Sequence, residues 1–84
     1  STQKLKEAKY GLANDYLLKK DYKNAYSSFG EIWDYKDSNL KYSEAAYSLA
    51  NDFLSKKDYG SAKFFFGQAG DYKDSKQKLK ETEA

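Results

Sequence analysis

The side chains of this 84-residue chain that could do chemistry are carboxylates, lysines, tyrosines and asparagines; His, Cys, Met and Arg are absent. Without Cys there can be no disulfide, thiolate metal site or cysteine nucleophile. Without His the commonest general base and metal ligand is missing. Asp34-Tyr35-Lys36-Asp37-Ser38 and Asp71-Tyr72-Lys73-Asp74-Ser75 do set two carboxylates close together. A hard cation wants about six oxygens, however, and an EF-hand spreads them over about twelve residues around a Gly turn. Each segment is too short for that, and Lys36 or Lys73 opposes the ion. Both read instead as turns, with Asp37/Ser38 and Asp74/Ser75 capping the helix that follows. Two carboxylates can run a glycosidase, but so small a chain offers them no deep pocket. No Gly-rich phosphate loop is present. The chain is therefore expected to hold no metal site, no cofactor and no catalytic residue.

Charge narrows the choice of partners. The formal charge is +2, with fifteen Lys against thirteen Asp and Glu. So near a balance gives no reason to expect a polyanion. Arg is the residue best suited to bidentate phosphate and guanine contacts, and none is present, so no nucleic-acid partner is expected. Lys73, Lys76, Lys78 and Lys80 alternate with Asp71, Asp74 and Glu81, which describes a solvated helix face. No apolar run approaches the ~20 residues of a membrane span, so no direct membrane insertion is expected. The richness in Lys, Tyr and Asn points to an AT-rich genome and so to a bacterial source. The chain starts and ends in charged, helix-like sequence, and it reads as a piece of a larger protein.

The elements that position these side chains come from a duplication. Residues 8–44 return without a gap at 45–81: Tyr10 recurs as Tyr47, a period of 37 residues. Leu12-Ala13-Asn14-Asp15 returns as Leu49-Ala50-Asn51-Asp52, and Lys19-Lys20-Asp21-Tyr22 as Lys56-Lys57-Asp58-Tyr59. Periods of roughly 20–50 residues mark stacked repeats. The chain is one domain, residues 1–84, small enough that its stability should be marginal.

Val is absent and Ile occurs once, so the residues that favour strands are missing and the chain should be all-α. Leu5, Ala8, Leu12, Ala13, Tyr16 and Leu17 follow the i, i+3, i+4 spacing of one helical face. Ala45, Leu49, Ala50, Phe53 and Leu54 repeat it. Lys-Lys closes each run, where cations suit the helix dipole. Asp21 and Asp58 then start a shorter helix whose buried face is Tyr22, Ala25, Phe29 and Ile32, or Tyr59, Ala62, Phe66 and Ala69 in the second copy. Gly70 is a C-terminal stop. The expected helices are 3–19, 22–33, 38–56, 59–69 and 75–83, the last capping the array.

Helix pairs of this kind resemble tetratricopeptide repeats. Leu12-Ala13-x-x-Tyr16 with Ala25-x-x-x-Phe29 follows the family pattern, as does Leu49-Ala50-x-x-Phe53 with Ala62-x-x-x-Phe66. The resemblance covers nearly the whole chain. Lys9 and Ala46 replace the family's leading Trp, Asp37 and Asp74 replace its closing Pro, and the turn is about three residues longer. The family implies antiparallel helix-turn-helix units stacked as a short right-handed α-solenoid of about five helices. It also implies a concave peptide groove on the first helices, at Glu7, Tyr10 and Asn14, then Glu44, Tyr47 and Asn51. A carboxamide donates and accepts at once, so it can clamp an extended backbone. Tyr offers flat, amphipathic contact at low entropy cost. Glu7 and Glu44 would favour peptides carrying Lys or Arg. The basic residues of the family's carboxylate clamp are missing, and Tyr10 and Tyr47 stand in their place.

Phe64-Phe65-Phe66 replaces Ser27-Ser28-Phe29 of the first copy. Phe66 is core by register, but Phe64 and Phe65 cannot both point inward, so they form a candidate docking patch. Trp33, opposite Gly70 in the other copy, should pack at the joint near Leu40. The function expected is a noncatalytic repeat module that binds a protein or peptide. The competing reading is a structural spacer within a longer array. A monomer is expected, with at most weak self-association.

Overall fold

The computed structural model describes residues 2–83 as five helices. They are α1 (Thr2–Leu18), α2 (Tyr22–Glu31), α3 (Ser38–Ser55), α4 (Tyr59–Ala69) and α5 (Ser75–Glu83). No strand occurs among the described residues. Each helix packs chiefly on its neighbours in the chain, α1 on α2, α2 on α3, α3 on α4 and α4 on α5. The result is an all-α helical stack with extents of 47 × 21 × 17 Å. The expected boundaries hold to within two residues. The largest departure is α2, which stops at Glu31, with Ile32 as its C-cap and Trp33 outside.

The core follows the repeated pattern of small and large residues. Ala13, Ala25, Phe29 and Ala45 are fully buried in one cluster, and Ala50, Ala62 and Phe66 are buried in the other. Alanines where helices cross let the axes approach, and Phe29 or Phe66 fills the space beside them. Leu79 of α5 covers the second cluster.

Both kinds of turn are built twice over. After α1, Lys20 donates its N–H to Leu17 O and Asp21 to Tyr16 O; after α3, Lys57 donates to Leu54 O and Asp58 to Phe53 O. This double bond pattern is a Schellman termination, which wants a left-handed residue, commonly Gly. Here Lys20 and Lys57 take that conformation, at φ 62° and 64°. The paired lysines thus lie past the helix, in the turn, rather than in its last turn. Asp21 and Asp58 then cap α2 and α4 as expected, accepting from Asn24 N–H at 3.4 Å and Ser61 N–H at 3.3 Å. Gly70 ends α4 at φ 62°.

The second kind of turn differs from expectation. Asp37 makes no side-chain cap for α3. Its backbone carbonyl instead accepts from Leu40 and Lys41, while its carboxylate turns back to the Tyr10 hydroxyl. Ser38 and Ser75 are fully buried. The turn is held by successive short bonds, Tyr35 N–H to Ile32 O and Ser38 N–H to Tyr35 O, repeated as Tyr72 to Ala69 and Ser75 to Tyr72. Lys36 and Lys73 sit at its tip with φ 49° and 48°.

These turns set the stagger of the stack. Tyr10 stands level with Asp37, 27 residues on, and Tyr47 with Asp74, again 27 on. The repeat is 37 residues long, so equivalent positions of successive first helices are displaced by about ten residues, ~15 Å at ~1.5 Å per residue. The cause is helix length. α2 has 10 residues against 17 in α1, so the chain returns only part of the way before α3 begins.

Candidate functional site

A groove runs between α1 and α3. Asn14, Leu17 and Leu18 of α1 line it together with Lys41, Glu44 and Ser48 of α3. Tyr22, the first residue of α2, and Lys20 complete the lining; Leu17 and Tyr22 are its half-buried apolar side chains. The groove continues along α3, where Tyr22, Glu44 and Ser48 are joined by Tyr47, Asn51, Asp52, Tyr72 and Lys73. The stagger decides who meets whom. Asn14 faces Lys41 and Glu44, each 27 to 30 residues on, and not Asn51. The two Tyr–Asn stripes therefore run one after the other instead of side by side, because equivalent positions on α1 and α3 are offset along the helix.

The tyrosines have structural partners. The Tyr10 hydroxyl donates to Asp37 Oδ1, and the Tyr47 hydroxyl to Asp74 Oδ1. Tyr10 also packs edge-on against Phe29 at 6.0 Å and Tyr35 at 5.5 Å. Tyr47 repeats this with Phe66 at 5.9 Å and Tyr72 at 5.4 Å. The ammonium of Lys36 lies 5.3 Å from the Tyr10 ring centre, and that of Lys73 lies 5.8 Å from that of Tyr47. Each tyrosine is thus a latch holding its first helix to the turn that closes its own repeat. The electrostatics agree. The Asp37 carboxylate, then burial, raises the Tyr10 phenol, while Asn14 pulls it down. Asp74 and Asn51 act in the same way on Tyr47. In return, the Tyr47 hydroxyl holds the Asp74 carboxyl below the usual range.

Asn14 and Asn51 follow Tyr10 and Tyr47 by one helical turn, close enough to pull each phenol down. Glu44 lies in the groove and makes no ion pair among the described residues; Lys41 is likewise unpaired. After burial, Glu44 is the second cause raising the Tyr72 phenol. Glu7 is exposed and does not line the groove. Of the six expected groove residues, Asn14, Glu44, Tyr47 and Asn51 are on its walls. Sequence reasoning missed Tyr22, Lys41, Ser48 and Tyr72. Tyr22 and Tyr59 were expected in the buried face of the shorter helix, yet Tyr59 is 52 % exposed. Their place as first residue after the capping Asp was the available signal, since the first turn of a helix projects beyond the packed interior.

Away from the groove, Phe65 stacks on Phe53 at 5.6 Å and meets Tyr26 edge-on at 5.2 Å, which fixes it in the joint between α2, α3 and α4. Phe64 remains exposed beside it. Tyr26 stacks on Tyr42 at 4.4 Å, and the Tyr42 hydroxyl lies 2.8 Å from that of Tyr26 and 3.0 Å from Gln68 Oε1. Burial, then Tyr42, raises the Tyr26 phenol. Trp33 meets Tyr42 edge-on at 5.1 Å. It is half exposed and shares a surface recess with Leu40 and Gly70.

Among the described residues, no three His, Cys, Asp or Glu side chains are grouped so as to hold a metal ion. No described helix is long and apolar enough to cross a membrane. Comparison with protein-family models, with curated proteins and with solved structures finds no match to this chain.

Proposed function

We propose that the chain is a noncatalytic binding module of the tetratricopeptide kind, and that it takes an extended protein segment in the groove between α1 and α3. One observation carries this reading. The groove combines carboxamides, a half-buried Tyr and two charged side chains, Lys41 and Glu44, that have no ion-pair partner among the described residues. Asn14 and Asn51 can pair with backbone amides and carbonyls, and Tyr22 and Leu17 supply an apolar floor. Lys41 and Glu44 would meet charges of opposite sign on the ligand.

Titration of a library of fluorescent extended peptides, read by anisotropy, tests the reading. Saturable binding is expected, weakened by Asn14→Ala and Asn51→Ala with the helix spectrum unchanged. A library without a single binder would sink the groove reading. Binding of a labelled single-stranded nucleic acid that collapses with added salt would point to phosphate contacts instead.

The spacer reading has its own support. Tyr10 and Tyr47 are tied to Asp37 and Asp74, so two of the six residues expected to grip a ligand already have work in the stack. Groove variants that leave every binding and assembly property of the intact parent protein unchanged would favour it.

A further inference from the structure

The groove has a second copy further along the molecule. Leu54, Tyr59, Lys78, Glu81 and Thr82 line a recess between α3 and α5. Four of these are the period-related equivalents of groove residues: Leu17 returns as Leu54, Tyr22 as Tyr59, Lys41 as Lys78 and Glu44 as Glu81. The recesses thus share one design. A half-buried leucine and the first tyrosine of a second helix make the apolar floor, Tyr59 being more exposed than Tyr22. A Lys and a Glu three residues apart on the next first helix form the rim.

The spacing of the two sites follows from the stack. Equivalent positions are displaced by about ten residues along the helix, ~15 Å. The axes of α1 and α3 face each other across the groove without packing closely, so they are at least ~10 Å apart. Together these put the two floors at least about 18 Å apart. An extended chain advances ~3.3 Å per residue, so about five residues separate two side chains that reach both floors.

We infer that the two recesses are anchor sites for a single extended peptide carrying two aliphatic side chains about five residues apart. This rests on the groove reading above and adds the ligand pattern to it. The aliphatic choice comes from the Leu–Tyr floors, and the extended form from the length to be spanned. Between the anchors the peptide would run past Asn51 and Tyr47, where a carboxamide can hold its backbone. Acidic and basic residues beside each anchor suit the Lys–Glu rim. Two weak anchors on one chain bind cooperatively only when the linker matches the span, so affinity should peak sharply with spacing.

The test uses the whole 84-residue chain and a series of fluorescent peptides with two leucines placed two to ten residues apart in an otherwise Ser-rich host. Single-leucine peptides serve as references. Anisotropy is expected to show tightest binding near a separation of five, about tenfold or more above the single-leucine peptide. Tyr22→Ser or Tyr59→Ser should each reduce the two-leucine peptide to the single-leucine affinity, with the far-ultraviolet spectrum unchanged. Equal affinity at every spacing, or for one leucine and two, would overturn the two-anchor inference while leaving a groove that binds peptide. Failure of every peptide in the series to bind overturns the inference too, and the library titration above then tells whether the groove itself survives.

Discussion

α1 and α3 carry nearly the same residues at the same register, yet one is a surface helix and the other is central. Leu12 is 51 % exposed, and its equivalent Leu49 is 9 % exposed. Ala8 is exposed, and Ala45 is fully buried. The reason is that α3 lies between α2 and α4, whereas α1 packs chiefly against α2. Burial here belongs to the place in the stack and not to the repeat sequence. A repeat unit cannot cover its own apolar stripe; its neighbour does so.

The contrast can be broken at its strongest point first. Leu49→Ala should cost about 2–4 kcal/mol, because it opens space between helices, and Leu12→Ala under about 1 kcal/mol. Urea unfolding of both variants checks this; equal losses would mean that α1 and α3 are equally covered. Ala25→Leu and Ala62→Leu should each cost about 1–3 kcal/mol by overpacking the helix crossing. Ala8→Leu, at an exposed position of α1, should leave the urea midpoint nearly unmoved.

The latches sharpen the comparison, because they are alike in both repeats. Tyr10→Phe and Tyr47→Phe should each lower the midpoint slightly, and by similar amounts, since each removes one solvent-accessible hydrogen bond. The acid dependence separates them from generic damage. Asp74 has its folded pKa lowered, so the stability it contributes is present above the unfolded carboxylate value and is lost as pH falls through the folded one. In Tyr47→Phe the Asp74 carboxyl should titrate at a higher pH than in the parent chain, as followed by carbon NMR. An unmoved titration would mean that the Tyr47 hydroxyl is not its main partner.

The smallest effect concerns the left-handed lysines. Lys20→Gly should stabilise by up to about 1 kcal/mol, because Gly takes φ 62° without strain. Lys36→Gly should be closer to neutral. The same relief there is offset by loss of an ammonium held over the Tyr10 and Tyr35 rings at 5.3 and 5.5 Å. Thermal unfolding of the two variants side by side reads the difference directly.

Much of this architecture was legible. Helix boundaries followed from apolar spacing and from Asp21, Asp58 and Gly70, all of which act locally. Ala25, Phe29, Ala62 and Phe66 were placed in the core by register alone. The roles of Asp37 and Tyr10 were not legible, because their partnership spans 27 residues and depends on how the helices lie together. Tyr22 was misplaced for a related reason: a helix pattern gives the face a residue occupies but not whether the neighbouring helix reaches that far. Phe65 belongs to the joint and not to a docking patch with Phe64, because Phe53 and Tyr26, residues of two other helices, pack against it.

By itself, the sequence determined the local order of the chain: five helices, two repeats, and the apolar stripe of each. Those features rest on spacing and capping within a few residues. Only the tertiary structure decided the offset between successive first helices. It arises because α2 is shorter than α1 and packs back along it, so that α3 starts beside Tyr10. The unequal lengths were already visible in the sequence, but their consequence appears only once the helices are packed. That one displacement sets Asn14 against Lys41 and Glu44, and spaces the two Leu–Tyr recesses along the stack.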